Sequence, residues 1–289
     1  MDKLTYNKII EKLIVYAEED ERIRTVLIVG SRARTAVPAD QWSDLDLVIF
    51  AKDAQSFLTD KKWIVNIGKP YISFLENTAV GGGLERRILF ENGLDVDFAF
   101  FPPSALFELE KDSEVIKVFS RGVRVLIDKD RLTESLKEKA KENIRIVPSL
   151  NREEINNIIQ DFWYHSVLAS KKLRRGELLD GKSICDSYMK NLLFSLIKIQ
   201  TRLNKGAEYD TWHGYRFFEK WADPSIVQAF KGLYAHYEEE EIWTALQNTM
   251  QVFRNTAINV CEALHINYPF EADEYASKLV EIYYHDHKL

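Results

Sequence analysis

Two short stretches of this chain carry residue types able to hold a cation and a phosphate together. Val29-Gly30-Ser31-Arg32 closes an apolar run on a glycine, and after a polar loop Ser43-Asp44-Leu45-Asp46-Leu47-Val48 sets two carboxylates at alternate positions of an apolar segment. Side chains alternate across a strand, so Asp44 and Asp46 are expected on one face and Leu45 and Leu47 on the other. Two like charges held side by side are costly unless a cation lies between them. Oxygen-only donors of this kind suit Mg²⁺ or Mn²⁺, which share their remaining positions with water and phosphate oxygens. Gly30 at the end of a strand lets the backbone come close to a phosphate, and Ser31 offers a hydroxyl with its N–H. Arg32 and Arg34 add cations, either for a polyphosphate or for nearby carboxylates.

A further carboxylate comes from Leu94-Asp95-Val96-Asp97-Phe98-Ala99-Phe100, where Asp95 and Asp97 again share a face. If that strand lies beside the one bearing Asp44 and Asp46, three acidic groups converge. Such a cluster can seat two cations that clamp the attacking and leaving oxygens of an in-line displacement at phosphorus.

The elements that must position these residues follow from hydrophobic spacing. Tyr6, Ile9, Ile10, Leu13, Ile14 and Ala17 mark one face of an opening helix. Thr25 to Gly30, Leu45 to Ala51, Tyr71 to Leu75, Glu85 to Phe90, Leu94 to Phe101 and Val123 to Ile127 read as strands. Gly81-Gly82-Gly83 and Glu91-Asn92-Gly93 are turn material, so the middle strands are expected as antiparallel hairpins. Ser104 is placed to cap a helix running to about Ser120. Beyond the Pro148 linker, Ile144 to Asn151, strand signals vanish. Helices are expected from Asn151 to about Arg175, and over Ser183 to Leu203, Pro224 to Tyr237, Glu240 to Leu264 and Glu271 to Tyr284. The reading is an α+β chain: residues 1–145 form a mixed β-sheet domain flanked by helices, and residues 146–289 a helical bundle.

Composition narrows the partners. The 289 residues carry 39 Lys plus Arg against 45 Asp plus Glu, a net charge of −6, which argues against binding nucleic acid through electrostatics. A hydrophobic fraction of 46% supports a packed core and speaks against disorder. Apolar runs such as VLIVG and LVIFA are too short for a membrane span, and the opening residues do not form a signal peptide. Cys185 and Cys261 lie in helical patterns without a zinc-binding spacing, as expected of reduced thiols in a cytoplasmic protein.

Gly30-Ser31, Asp44-x-Asp46 and a distant carboxylate between apolar residues resemble the signature of the nucleotidyltransferase superfamily that includes DNA polymerase β. The loop Ala39-Asp40-Gln41-Trp42, the run Leu89-Phe90-Glu91-Asn92-Gly93 into Val96-Asp97-Phe98, Asp161-Phe162-Trp163, and Lys172 through Leu179 resemble, more narrowly, the streptomycin (aminoglycoside 6-) adenylyltransferases. The chain departs from that group in reading Ser43-Asp44-Leu45-Asp46 where its members usually read Gln-Asp-Tyr-Asp. The resemblance implies an N-terminal nucleotidyltransferase domain followed by a helical substrate-binding domain. It places ATP and its triphosphate at Gly30 and Ser31, with Arg32 nearby, Mg²⁺ on Asp44 and Asp46, and Asp97 as the third acidic position. It also implies transfer of AMP to a hydroxyl of a cationic acceptor, an aminoglycoside such as streptomycin, with pyrophosphate released. Asp186 is the implied base, with Glu177 and Asp180 as rivals. Two other readings stay open: an adenylyltransferase acting on a protein, tRNA or another metabolite, and a non-catalytic nucleotide-binding module.

Overall fold

The structure, a computed structural model, describes residues 3–34, 39–142, 151–212 and 214–287. The chain divides into two compact units, Met1–Ile146 and Val147–Leu289. The expected linker from Ile144 lies, up to Pro148 and beyond to residue 150, outside the described residues.

The first unit opens with helix α1 (Tyr6–Glu19), whose N-terminus is capped by Thr5 accepting from the Lys8 N–H at 3.3 Å. Among the described residues six strands form one sheet in the order β3-β4-β5-β2-β1-β6. They are β1 (Ile23–Val29), β2 (Leu45–Ala51), β3 (Pro70–Asn77), β4 (Leu84–Phe90), β5 (Asp95–Phe101) and β6 (Arg124–Asp128). The hairpins expected around the glycine turns are present as antiparallel β3/β4 and β4/β5. The pair that matters most is β2/β5, which is parallel. A parallel pair needs a long crossover. Here it runs through the short helices α2 (Ala54–Thr59) and α3 (Ile64–Ile67) and the β3–β4 hairpin.

Alternation along β2 and β5 separates two cores. Leu45, Leu47 and Ile49 of β2, with Val96, Phe98 and Phe100 of β5, join Ile9, Leu13 and Ala17 of α1 and Trp63 on one face. On the other face Phe50, Ala99 and Phe101 pack with Val115, Ile116, Phe119 and Leu136. These come from α5 (Ser113–Ser120) and α6 (Thr133–Glu142), which follow the short α4 (Leu106–Leu109). The sequence led us to expect a single helix from Ser104. Instead α5 starts afresh because Asp112 accepts from the N–H groups of Glu114 and Val115 and caps it.

The regular elements of the second unit are all helical among its described residues: α7 (Arg152–Arg174), α8 (Leu178–Ser183), a π-helical turn (Ile184–Met189), α9 (Lys190–Lys205), α10 (Phe218–Trp221), α11 (Pro224–Ala229), α12 (Glu239–Leu264) and α13 (Phe270–His287). Trp163, Leu193, Ile197, Trp243, Phe253 and Val260 are fully enclosed in its core. The helix expected from Pro224 to Tyr237 is shorter than its pattern implied, ending in a tight turn at Phe230–Gly232. The buried Lys190 is accommodated at the π turn, where its ammonium donates to the Cys185 carbonyl at 3.1 Å and the Thr249 hydroxyl at 2.8 Å. Extra-residue turns of this kind free a carbonyl for such a partner. Among the described residues no helix is long and apolar enough to cross a membrane.

Candidate active site

Strand register builds the site. In the parallel β2/β5 pair Asp46 stands directly beside Asp97, and in the antiparallel β1/β2 pair Val29 stands beside Asp46. The end of β1, the start of β2 and the start of β5 therefore meet. One carboxylate oxygen from each of Asp44, Asp46 and Asp97 lies within 4.8 Å of the other two. Asp46 and Asp97 are on the face of the sheet that further along carries Phe50 and Phe101.

Gly30 makes this approach possible. Its φ of +66° suits glycine, and a Cβ built there would fall 2.0 Å from Oδ2 of Asp46. A tight 3₁₀ turn, Gly30–Arg32, follows. Ser31 is only 7% exposed, and its enclosed hydroxyl has no hydrogen-bond partner among the described residues. A buried hydroxyl left unpaired costs free energy, so a ligand atom is the natural completion of this turn.

Arg32, expected at the polyphosphate, also holds main chain beside the site. Its Nε donates to the Asp44 carbonyl at 2.8 Å, one Nη donates to the Ser43 carbonyl at 2.6 Å, and its guanidinium stacks 3.6 Å from the centre of the Tyr6 ring. Arg32 thus fastens the segment that delivers Asp44. Asp95 keeps to the face of Asp97, with its N–H donating to the Tyr6 hydroxyl at 3.2 Å.

Arg87 and Glu85 of β4, which the strand pattern alone does not single out, stand at this cluster. Arg87 of β4 faces Asp97 across the ladder. Its Nε donates to Oδ1 at 2.8 Å, and Nη2 sits 2.7 Å from Oδ2. The same guanidinium reaches Glu76 of β3 at 3.2 Å and lies 3.9 Å from Glu85. The hairpin turn at Glu91–Gly93 was the available signal, since it fixes the β4/β5 register and hence which residue opposes Asp97.

Charge crowding shows in the proton affinities. Burial, followed by the charges of Asp44, Asp97 and Glu85, pushes the Asp46 carboxyl up to about 7. Glu85 is likewise raised to about 7, by burial and then by the Asp97 charge. Burial raises Asp97 as well, opposed by its hydrogen bonds from Arg87. Three close carboxylates, one of them strongly destabilised in its charged form, beside an unpaired buried hydroxyl are a donor set that fits a hard divalent cation and a phosphate oxygen.

The remaining expected site residues belong to the second unit. Asp186 lies in the π turn, ion-paired with Lys182 and 3.8 Å from the ammonium of Lys190. Glu177 is held by Lys172 and by Arg175, the latter at 2.6 Å, and Asp180 pairs with Lys172 at 3.2 Å.

Comparison with known proteins completes the description. A family model described as streptomycin adenylyltransferase matches residues 4–282. An aminoglycoside 6-adenylyltransferase of Bacillus subtilis (strain 168) is 24% identical over 280 residues, covering 92% of this chain and 93% of its own. Another of the same name from Campylobacter jejuni is 22% identical over 270 residues, covering 92% and 91%. A crystal structure of an aminoglycoside 6-adenyltransferase from Bacillus subtilis superposes with a TM-score of 0.46 at 21% identity, covering 97% of this chain and 99% of that one.

Proposed function

The chain belongs to the streptomycin adenylyltransferase family and is a nucleotidyltransferase, and on that premise we propose that it transfers AMP from ATP to a hydroxyl of an aminoglycoside such as streptomycin, in a Mg²⁺-dependent reaction that releases pyrophosphate. The observation that carries the reading is the convergence of Asp44, Asp46 and Asp97 beside the Gly30–Ser31 turn.

In this reading Asp44, Asp46 and Asp97 hold the metal. When bound, Mg²⁺ supplies charge neutralisation at the phosphate oxygens and lowers the pKa of the attacking hydroxyl. Gly30 lets the turn close against Asp46, and the Ser31 hydroxyl would donate to a phosphate oxygen of the bound nucleotide. Arg32 keeps Asp44 in place through its two carbonyl contacts. Fixed groups of this kind act by orientation, which converts binding energy into rate. The resemblance implies Asp186 as the acceptor of the hydroxyl proton, with Glu177 and Asp180 as rivals; Lys182 and Lys190 stand beside the Asp186 carboxylate. A reducing, ATP-supplied cytoplasm is the proposed setting, consistent with Cys185 and Cys261 being buried free thiols.

The test is pyrophosphate release from Mg-ATP with a panel of aminoglycosides, with the adenylylated product identified by mass. Release with streptomycin or a relative supports the proposal. No release with any member overturns the acceptor assignment, and Asp186→Asn with unchanged kcat removes that residue from the chemistry.

A further inference from the structure

We propose that Arg87 is a positioning residue of the metal site, acting through Asp97 to set which of its lone pairs face the cation. The inference rests on the reading of Asp44, Asp46 and Asp97 as metal ligands and concerns how the third of them is prepared.

Arg87 and Asp97 are directly opposed residues of neighbouring strands, so their backbones are fixed relative to each other by the ladder. The contact is a two-pronged one, Nε to Oδ1 at 2.8 Å and Nη2 to Oδ2 at 2.7 Å. A guanidinium fork that meets both carboxylate oxygens locks the plane of the carboxylate and still leaves each oxygen a lone pair on the far side. Asp46 and Asp44 lie within reach of Asp97 there.

Arg87 is itself held in place. Glu76, on the edge strand β3, accepts from Nη1 at 3.2 Å, and Glu85 lies two residues away on the same face of β4. This makes a relay of fixed charge from the sheet edge, Glu76 to Arg87 to Asp97, ending at the cluster. Partners behind a metal ligand commonly control ligand orientation, and their loss costs about 10–100-fold in metal affinity. Lysine supplies the charge without the fork, so it separates neutralisation from orientation.

The experiment is Mn²⁺ binding to the full chain, by calorimetry and by the electron paramagnetic resonance of free Mn²⁺, without nucleotide, alongside thermal unfolding. The proteins compared are wild type, Arg87→Lys, Arg87→Gln and Asp46→Asn. The expected result is Mn²⁺ affinity about 10–100-fold weaker in Arg87→Gln and several-fold weaker in Arg87→Lys, the latter with an unfolding temperature close to wild type. A purely structural arginine would lower the unfolding temperature and leave the affinity of the folded protein unchanged. If Arg87→Gln fails to fold, Arg87→Lys alone decides. Equal or tighter Mn²⁺ binding by the folded Arg87 variants, with Asp46→Asn weakened, overturns the role of Arg87 and spares the metal site. Asp46→Asn binding Mn²⁺ as wild type does, or wild type binding none, overturns the ligand reading and this inference with it.

Discussion

Gly30 and Asp46 stand so close that a single carbon cannot be placed between them: a Cβ at position 30 would lie 2.0 Å from Oδ2 of Asp46. The turn and the carboxylate are therefore one unit, and Gly30→Ala tests it. We expect the variant to fold, at a cost of about 1–3 kcal/mol from the strained backbone angle. On the proposed reading the displaced group is a metal ligand, so AMP transfer should fall by about 100-fold or more, as misplaced catalytic groups do. Circular dichroism and steady-state kinetics check both halves; near-normal turnover contradicts the close-approach argument.

Ser31→Ala separates binding from folding. Removing an enclosed hydroxyl that has no partner among the described residues should leave stability unchanged or slightly higher. If that hydroxyl meets a phosphate, KM for ATP should rise by about 10-fold, the worth of one hydrogen bond to a charged group. An unfolding temperature well below wild type with an unaltered KM for ATP shows that the hydroxyl serves the fold instead.

Asp46→Asn should abolish turnover and yet stabilise the metal-free protein. The Asp46 carboxyl is raised from 3.8 to about 7 in the folded state, so folding takes up a proton between those values. The folded state is favoured fully below pH 4, and that advantage is lost as pH rises to 7. At pH 8 the charged group costs about 4 kcal/mol as an upper bound, relieved by the amide. Calorimetry without metal should show Asp46→Asn gaining stability at pH 8 and none at pH 4. A variant less stable than wild type at pH 8 refutes the crowding picture.

The same proton competes with the metal. Ligands must be deprotonated to bind, so the Mg²⁺ concentration for half-maximal rate should rise as pH falls through 7, by roughly 10-fold between pH 8 and pH 6 for a single competing proton. Chelation should abolish transfer, with recovery on adding Mg²⁺. A half-saturating concentration that does not vary across this range would show that Asp46 does not titrate there.

The carboxylates were legible because their alternation with leucine, valine and phenylalanine is a strand pattern that puts them on one face, and the structure brings Asp44, Asp46 and Asp97 together. Gly30 and Ser31 stand out only together with the acidic pair, since a glycine at a strand end by itself signals no more than a turn. Arg87 and Glu85 stayed hidden because their importance is a matter of register: in a strand reading Leu84-Glu-Arg-Arg-Ile88, any of three charged residues could oppose Asp97 until the pairing is fixed. Arg32 is the converse case. Residue type offers it a polyphosphate or carboxylates, and cannot show the backbone carbonyls of Ser43 and Asp44 that take two of its donors. The break before α5 followed similarly from Asp112 being a stronger local cap than the chain's helical periodicity could reveal.

The parallel pairing of β2 with β5 has a consequence for how the protein comes into being. Leu45 and Val96 are partners in it, with two helices and a hairpin threaded between them. Contacts of such long sequence separation are the slowest to gain and come only after nearer ones are in place. Nascent chains that stop short of Phe101 hold Asp44 and Asp46 but have no complete β5 to set beside them. Catalytic competence should therefore be among the last properties acquired during refolding, appearing after the β3–β4 hairpin is protected from hydrogen exchange.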